Sequence, residues 1–209
     1  MNSLREPINA LTHLCAAAAA IPAMAYLLCC ANWPRATLAC GVFGASMIAL
    51  YVASGLYHGL RVSPKAERTL RKLDHSMIAV LIAGSYTPFC LIPLWNSCGP
   101  ALLAAVWILA AASVTLSVAW IAAPRWLSTG IYLLMGWLCV VALYPMALTT
   151  STVTMTWLVA GGVFYTIGAI IYGIKKAPVQ LAEWGFHEVF HLFIIAGTVC
   201  HYASVLTLL

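Results

Sequence analysis

Seven apolar stretches, each close to the length that crosses a bilayer, follow one another along the chain. None of them alternates apolar and polar residues, so the pattern favours helices over barrel strands. Lipid offers the backbone no hydrogen bonds, and a helix satisfies its own peptide groups. The sequence therefore predicts an all-α, polytopic seven-transmembrane-helix bundle that forms a single domain over residues 1–209. The predicted spans are Leu14–Ala31, Thr37–Tyr57, His75–Leu94, Pro100–Ala122, Leu127–Leu148, Thr154–Ile174 and Phe186–Leu208.

The composition supports exposure to lipid. Of the 209 residues, 64% are hydrophobic and only 7% are charged, whereas a soluble globular domain carries about 25% charged residues. The ten Lys and Arg residues are scattered rather than gathered in a stripe, which argues against a nucleic-acid partner. Membrane lipids are the expected partners, both as neighbours and as a candidate substrate or ligand. The sequence pattern does not determine the oligomeric state.

Charge on the connecting segments predicts the orientation. With the N-terminus in the cytoplasm, nine basic residues fall on inner segments and only Arg35 falls outside. This bias follows the positive-inside rule and requires an odd number of crossings. We therefore expect a cytoplasmic N-terminus, an external C-terminus and a multi-pass protein of the cell inner (plasma) membrane. The nine inner residues are Arg5, Arg61, Lys65, Arg68, Arg71, Lys72, Arg125, Lys175 and Lys176.

An alternative concerns the first span, where Ala23-Met24-Ala25 resembles a signal-peptidase site. Two features argue against cleavage. The preceding segment carries one Arg and one Glu rather than a clear positive charge, and the apolar run continues beyond Ala25. We therefore retain this segment as a membrane span.

Three predicted span ends carry ionisable side chains. His58 ends the second span, Asp74 opens the third, and His187 and His191 open the seventh. The predicted topology brings all these ends to the cytoplasmic side. His187 and His191 stand four apart on a helix, so they share a face, and His58 could supply a third nitrogen. Three protein ligands plus water are typical of a catalytic zinc site.

Asp74 and Ser54 are the candidate catalytic residues beside that zinc. The Asp74 carboxylate could hold and deprotonate a zinc-bound water. Ser54 lies one turn before His58 on the same face, so its hydroxyl points into the same cavity. Two plainer interpretations stay open. Asp74 could cap the third helix, and the histidine pair could face lipid headgroups.

The remaining histidines are interpreted separately. His13 and His75 each stand alone near a predicted helix end, which favours an interfacial or capping role. His201 lies 14 residues beyond His187, which is about 21 Å along a helix. It cannot join the same ligand set, and we expect it to line a cavity below the site or to form a hydrogen bond between helices.

The string from His187 to His191 also fits H-E-x-x-H, in which Glu188 would be the general base of an intramembrane metalloprotease. The pattern is short and therefore unspecific. Glu188 also lies about 100° round the helix from His187. The Asp74 interpretation ranks above it.

The motifs together resemble the hemolysin III family, the bacterial branch of the progestin and adipoQ receptor family. The resemblance extends from near the N-terminus to the end of the chain, and in combination its parts are highly specific. They are the stretch from Glu6 through Asn9 to His13, the span ending from Ser54 to His58, the stretch from Leu73 through Asp74, His75 and Ser76 to Pro88, Met135-Gly136-Trp137, Gly161-Gly162-Val163, and the closing His187, His191, Gly197, Cys200 and His201.

This resemblance implies a seven-helix fold with a cytoplasmic N-terminus and a zinc ion on His58, His187 and His191. It maps an aspartate and a serine near the metal onto Asp74 and Ser54. The wider superfamily includes alkaline ceramidases, which implies zinc-dependent hydrolysis of a lipid amide. Glu188 is not part of the family motif. The family name reflects a reported lytic activity, and some bacterial relatives look like regulators of membrane fluidity or energetics.

Three functions are weighed. The first is a zinc hydrolase of membrane lipid amides, resembling a ceramidase. The second is a non-enzymatic sensor or regulator of membrane homeostasis, in which zinc joins helices and stabilises the fold. The third is a lytic pore, which the sequence supports poorly because no repeated polar stripe would line a conducting path.

Overall fold

The computed structural model describes residues 4–176 and 184–209. These residues form eight α-helices and one short 3₁₀ segment, in an all-α architecture. The prediction of a polytopic helical protein is confirmed at that level. The helices are α1 (Pro7–Cys30), α2 (Pro34–Gly59), α3 (Pro64–Leu91), α4 (Gly99–Ala119), α5 (Arg125–Trp137), α6 (Leu143–Thr149), α7 (Thr152–Ile174) and α8 (Phe186–Leu206), with the 3₁₀ segment Leu138–Ala142 between α5 and α6.

Six helical segments in the described ranges are long and apolar enough to cross a membrane, and α5, the 3₁₀ segment and α6 count together as one of them. The helix outside this set is α3, although its 28 residues exceed the length of a span. Its second half contains polar side chains such as Ser76, Ser85 and Thr87, and these lower its mean hydropathy. They are buried within the fold. The seventh crossing and the orientation of the termini therefore stay predictions.

Two predicted boundaries were wrong. The first helix begins at Pro7 rather than Leu14, and the third begins at Pro64 rather than His75. In α3 the Ser63 hydroxyl accepts a hydrogen bond from the Ala66 N–H at 3.4 Å, which caps the helix. The charged residues that follow are good helix formers, so the helix extends beyond the apolar stretch. The predicted break Lys175–Trp184 lies largely outside the described residues.

The fifth predicted span is one apolar stretch but not one regular helix. The Tyr86 hydroxyl lies 2.8 Å from the Met135 carbonyl and accepts a hydrogen bond from the Cys139 N–H at 2.8 Å. Pro145 also lacks the N–H that would continue the helical ladder. A side chain inserted into the ladder interrupts a helix. The backbone therefore changes to a 3₁₀ turn between α5 and α6.

The helices pack mainly against their neighbours in sequence, and α1 contacts α8, so the first and last helices meet. Between α7 and α8 the close approach depends on two glycines. A Cβ added at Gly161 would overlap the His201 ring, and one added at Gly197 would meet the Tyr165 ring at 2.5 Å. Small residues allow helix backbones in membranes to approach closely. This packing holds the second half of α8 against α7.

Candidate metal centre and adjoining cleft

Three histidines from two helices converge at one end of the bundle. His58 lies in the last turn of α2, and His187 and His191 lie in the first two turns of α8. Each offers one ring nitrogen, and these three atoms all lie within 4.8 Å of one another. His58 and His191 are only 3% and 2% exposed. The structure thus brings together the three residues that the sequence selected.

The spacing of one pair of nitrogens in the cluster fits a tetrahedral ion. The Nε2 atoms of His58 and His187 are 3.3 Å apart. Two nitrogens bound to one tetrahedral zinc, each about 2.05 Å from it, are separated by about 3.3 Å. An all-imidazole set also suits zinc among the common divalent metals. The residues present therefore fit a metal ion held by three nitrogens.

Glu6 fixes the orientation of the His58 ring. Its Oε2 atom lies 2.7 Å from Nδ1 of His58, and its backbone N–H donates to the His58 carbonyl at 2.9 Å. When Nδ1 carries the proton and donates it to the carboxylate, Nε2 keeps the lone pair that a metal needs. Burial alone would raise the pKa of Glu6, but the neighbouring His58, Asn9 and Arg5 side chains hold that pKa below its usual value.

Asn9 connects Glu6 to the helix that carries the other two histidines. Its Nδ2 donates to Oε2 of Glu6 at 3.1 Å and to Oε1 of Glu188 at 2.8 Å. Asn9 is 2% exposed, so the amide at the centre of this bridge is buried, whereas the Glu6 side chain is 42% exposed. The Glu188 carboxylate therefore contacts α1 and forms part of the network around the histidines. Sequence reasoning assigned no role to Glu6 or Asn9, although both lie in the motif that precedes His13.

The interpretation of His13 as an interfacial or capping residue was wrong. It is 3% exposed, and its ring stacks on His191 with a centroid separation of 3.7 Å and an interplanar angle of 6°. Neither ring nitrogen has a hydrogen-bond partner among the described residues. Tyr51 packs against the same ring, edge to face, at 5.2 Å. His13 therefore supports a member of the histidine cluster from behind. No local pattern in the sequence marks this role, because it depends on how α1 packs against α8.

A cleft of about 560 Å³ opens from the histidine cluster into the bundle. This volume falls within the range of sites for small molecules and lipids. Its lining is mostly apolar and includes Ile78, Phe89 and Leu158, and His201 lies along it, as the sequence predicted. His75 is half-buried and also lines the cleft. An apolar chain could lie in this cleft with its polar end at the histidines.

Ser54 and Asp74 line the same cleft beside the cluster. Ser54 is 1% exposed and lies one turn before His58 on α2, whereas Asp74 is 8% exposed on α3. The Asp74 carboxyl faces the Ser54 hydroxyl and the His58 ring. The alternative in which Asp74 caps α3 was wrong, because the helix begins ten residues earlier and its N-cap is Ser63. The carboxylate therefore projects from within the helix into the cleft.

Sequence comparisons relate the chain to known proteins. Residues 1–202 match the model of a family described as Haemolysin-III related. The chain is 37% identical to the "Hemolysin-3 homolog" of Bacillus subtilis, over 99% of this chain and 95% of that protein. It is also 37% identical to "Hemolysin-3" of Bacillus cereus, over 96% of this chain and 90% of that protein. The "Adiponectin receptor protein" of Drosophila melanogaster is 28% identical over 96% of this chain and 50% of its own length.

Proposed function

The chain belongs to the Haemolysin-III-related family, and from that premise we propose that it is a zinc-dependent hydrolase of membrane lipid amides. It is a multi-pass protein of the cell inner (plasma) membrane. The observation that carries the proposal is the combination at one point of three imidazoles, one buried carboxyl and one hydroxyl at the mouth of an apolar cleft. A purely structural site has no need of an open cleft beside it.

In the proposed reaction, His58, His187 and His191 hold zinc, which when bound polarises the amide carbonyl and acidifies a water molecule. The Asp74 carboxylate accepts a proton from the attacking water, whose oxygen adds to the carbonyl carbon. The Ser54 hydroxyl donates a hydrogen bond to the carbonyl oxygen as negative charge develops there. The C–N bond then breaks, and the amine leaves with the proton that Asp74 accepted. The products are a carboxylate and an amine.

The rest of the chain would prepare these groups for the reaction. Glu6 holds His58 in one tautomer, and the stacked His13 ring restricts rotation of His191. The apolar walls of the cleft would hold the acyl chain and exclude water from the reacting carbonyl. Positioning of this kind supplies much of the rate acceleration in enzymes.

A second function is favoured by the network around the cluster. Glu6, Asn9 and Glu188 connect the start of α1 to α2 and α8, the two helices that the three histidines connect. A metal there would join helices distant in sequence and stabilise the folded state by mass action. In this alternative the protein is a non-enzymatic sensor or regulator of membrane homeostasis, and zinc is structural. A lytic pore and an H-E-x-x-H protease rank below both.

The orientation is also a proposal. Near the histidine cluster, Arg5 pairs with Glu67 at 2.6 Å, and Arg61 donates to the Leu4 carbonyl at 3.2 Å. At the other end of α2, Arg35 lies over the Trp95 ring at 4.1 Å. The gathering of basic residues at the histidine end supports its placement in the cytoplasm.

The experiment compares purified wild type with the His187→Ala/His191→Ala double variant, with His201→Ala as a matched control elsewhere on α8. Elemental analysis should find stoichiometric zinc in the wild type and the control, and little in the double variant. Lipidomics of cells that express each form, and release of fatty acid from a fluorescent ceramide by purified protein, should detect a zinc-dependent product. Zinc without hydrolysis in either assay would favour the structural alternative. Absence of zinc would overturn both.

A further inference from the structure

A second, smaller cavity of about 40 Å³ adjoins the cleft and contains two arginines. We call it the arginine pocket. Arg71 of α3 and Arg125 at the start of α5 line it. Its other residues combine polar, aromatic and aliphatic side chains: His75, Ile78, Leu116, Ser117, Trp120, Ile121, Ala123, Ser128, Tyr132 and Tyr172. The two guanidiniums give this cavity a cationic lining, so it is suited to the charged end of a molecule whose apolar part lies in the cleft.

The arginine pocket and the cleft are continuous. Arg71, Arg125 and Tyr172 line both cavities. The register of α3 explains this arrangement, because Arg71, Asp74 and His75 are separated by three and four positions and share one face of the helix. The same helix face therefore presents a guanidinium to the pocket and a carboxyl to the cleft beside the histidines.

Arg125 is half-buried and keeps donors available. Its guanidinium carbon is 4.6 Å from the centre of the Tyr172 ring and 5.5 Å from that of Phe186. These aromatic contacts leave the edge of the guanidinium plane free for hydrogen bonds. The Nη1 atom is buried and has no hydrogen-bond partner among the described residues. Arg125 is also the first residue of α5, where free peptide N–H groups favour an anion.

Among residues 4–176 and 184–209, no ion pair involves Arg71 or Arg125. Glu6 and Glu67 pair with Arg5, and Glu188 accepts from Asn9. Two guanidiniums that face one small cavity, and that pair with no carboxylate among the described residues, are therefore suited to hold an added anion.

We propose that the arginine pocket binds the phosphate or carboxylate headgroup of a single-chain anionic amphiphile, whose acyl chain lies in the adjoining cleft. A volume of about 40 Å³ has room for about three water molecules, which is the scale of the oxygens of such a group. Paired arginines bind these planar and tetrahedral anions through forked hydrogen bonds. This inference deepens the proposed hydrolase by naming an anionic lipid as its substrate class or product.

The binding test uses the His187→Ala/His191→Ala protein, treated with a chelator, so that an anion cannot bind through zinc. The probes are lysophosphatidic acid, lysophosphatidylcholine of the same acyl chain, and inorganic phosphate. Calorimetry reports binding. The variants are Arg71→Gln and Arg125→Gln. The control is Arg68→Gln, which removes the same charge from an exposed position on α3 outside both cavities.

We expect lysophosphatidic acid to bind about tenfold more tightly than the choline lipid, and each pocket variant to lose about tenfold in affinity, because each removes charge-assisted hydrogen bonds. Arg68→Gln should bind as the parent does. Inorganic phosphate binding as tightly as the amphiphile would replace the lipid by a free anion and overturn the proposal. Equal binding of the two lipids, or equal losses in pocket and control variants, would also overturn it.

Two features keep the test decisive. Arg125→Lys keeps the charge but not the forked donors, so it should show an intermediate affinity even if Arg125→Gln folds poorly. The chelated double variant has no hydrolytic centre, so binding in it is independent of catalysis. A hydrolase that lacked the pocket preference would refute this inference alone, whereas anion binding without hydrolysis would refute the proposed reaction alone.

Discussion

The Nδ1 atom of His58 lies 2.7 Å from Oε2 of Glu6, and its Nε2 atom lies 3.3 Å from Nε2 of His187. One imidazole thus connects a carboxylate on one side to the candidate metal position on the other. Carboxylate–histidine–metal arrangements fix the tautomer and raise the basicity of the ligand. The N-terminal segment before α1 is therefore part of the candidate centre and not only a lead into the first helix.

Glu6→Gln should weaken zinc binding by about 10- to 100-fold, because the amide accepts a weaker hydrogen bond from His58 and no longer fixes its tautomer. Chelator competition measures the affinity, and the visible spectrum of the cobalt form reports the geometry. Glu67→Gln is the matched control, since Glu67 pairs only with Arg5 at an exposed site. Equal zinc affinity in Glu6→Gln and wild type would show that Glu6 does not position His58.

Asp74→Asn should keep zinc but lower the rate of hydrolysis by about a hundredfold or more, which is the usual contribution of a general base. Glu188→Gln should keep most of the activity, because its carboxylate is engaged by Asn9 rather than free in the cleft. The measurement is the rate of fatty acid release from a lipid amide at matched zinc content. The opposite ranking of the two variants would favour the H-E-x-x-H protease chemistry.

Removal of zinc should lower the melting temperature of the purified protein, because a ligand that binds only the folded state stabilises it. At free zinc about 100 times the dissociation constant, this stabilisation is about 2.7 kcal/mol. Thermal unfolding in detergent with chelator, and again after zinc is restored, measures the shift. The His187→Ala/His191→Ala variant should unfold at the same temperature with and without chelator. A zinc-independent melting temperature in the wild type would contradict a metal that joins α2 and α8.

The sequence predicted the metal-ligand candidates better than their surroundings. His58, His187 and His191 follow from helix register and the positions of span ends, which are local features. The roles of Glu6 and His13 depend on how α1 packs against α2 and α8, and no spacing within α1 reveals that packing. His13 looked solitary because its partner His191 is 178 residues away in sequence.

The hydropathy pattern also located the apolar spans better than it located the ends of the helices. The charged first turns of α3 are helical although they are too polar for a membrane, so the boundary at His75 marked a change of polarity and not a helix start. The break after α5 depends on Tyr86, which reaches the backbone of another helix and interrupts its ladder. Both features depend on capping or tertiary contacts, whereas a hydropathy pattern reports only burial and lipid exposure.

His13→Phe should keep zinc affinity within about threefold of wild type, because a phenyl ring can stack on His191 in the same way. The two ring planes are nearly parallel with centroids 3.7 Å apart, and the lone pair of a ring nitrogen lies in its own ring plane, so one ion cannot lie in line with a lone pair of both His13 and His191. His13→Ala should instead lower stability by about 1–3 kcal/mol, since it leaves a void against His191. Chelator competition and chemical unfolding measure the two effects. A loss of zinc in His13→Phe as large as in His191→Ala would make His13 a ligand.

Whether α3 crosses the membrane determines the side on which the C-terminus lies. With seven crossings and a cytoplasmic N-terminus, alkaline phosphatase fused after Leu209 should be active, because that enzyme folds only outside the cytoplasm. A fusion after Ser97 should also be active, and one after Arg61 should be inactive. If α3 did not cross, the ends of α2 and α4 that flank it would lie on one side, and the Ser97 and Arg61 fusions would behave alike. The buried polar side chains of α3, among them Ser76 and Thr87, favour a crossing surrounded by other helices.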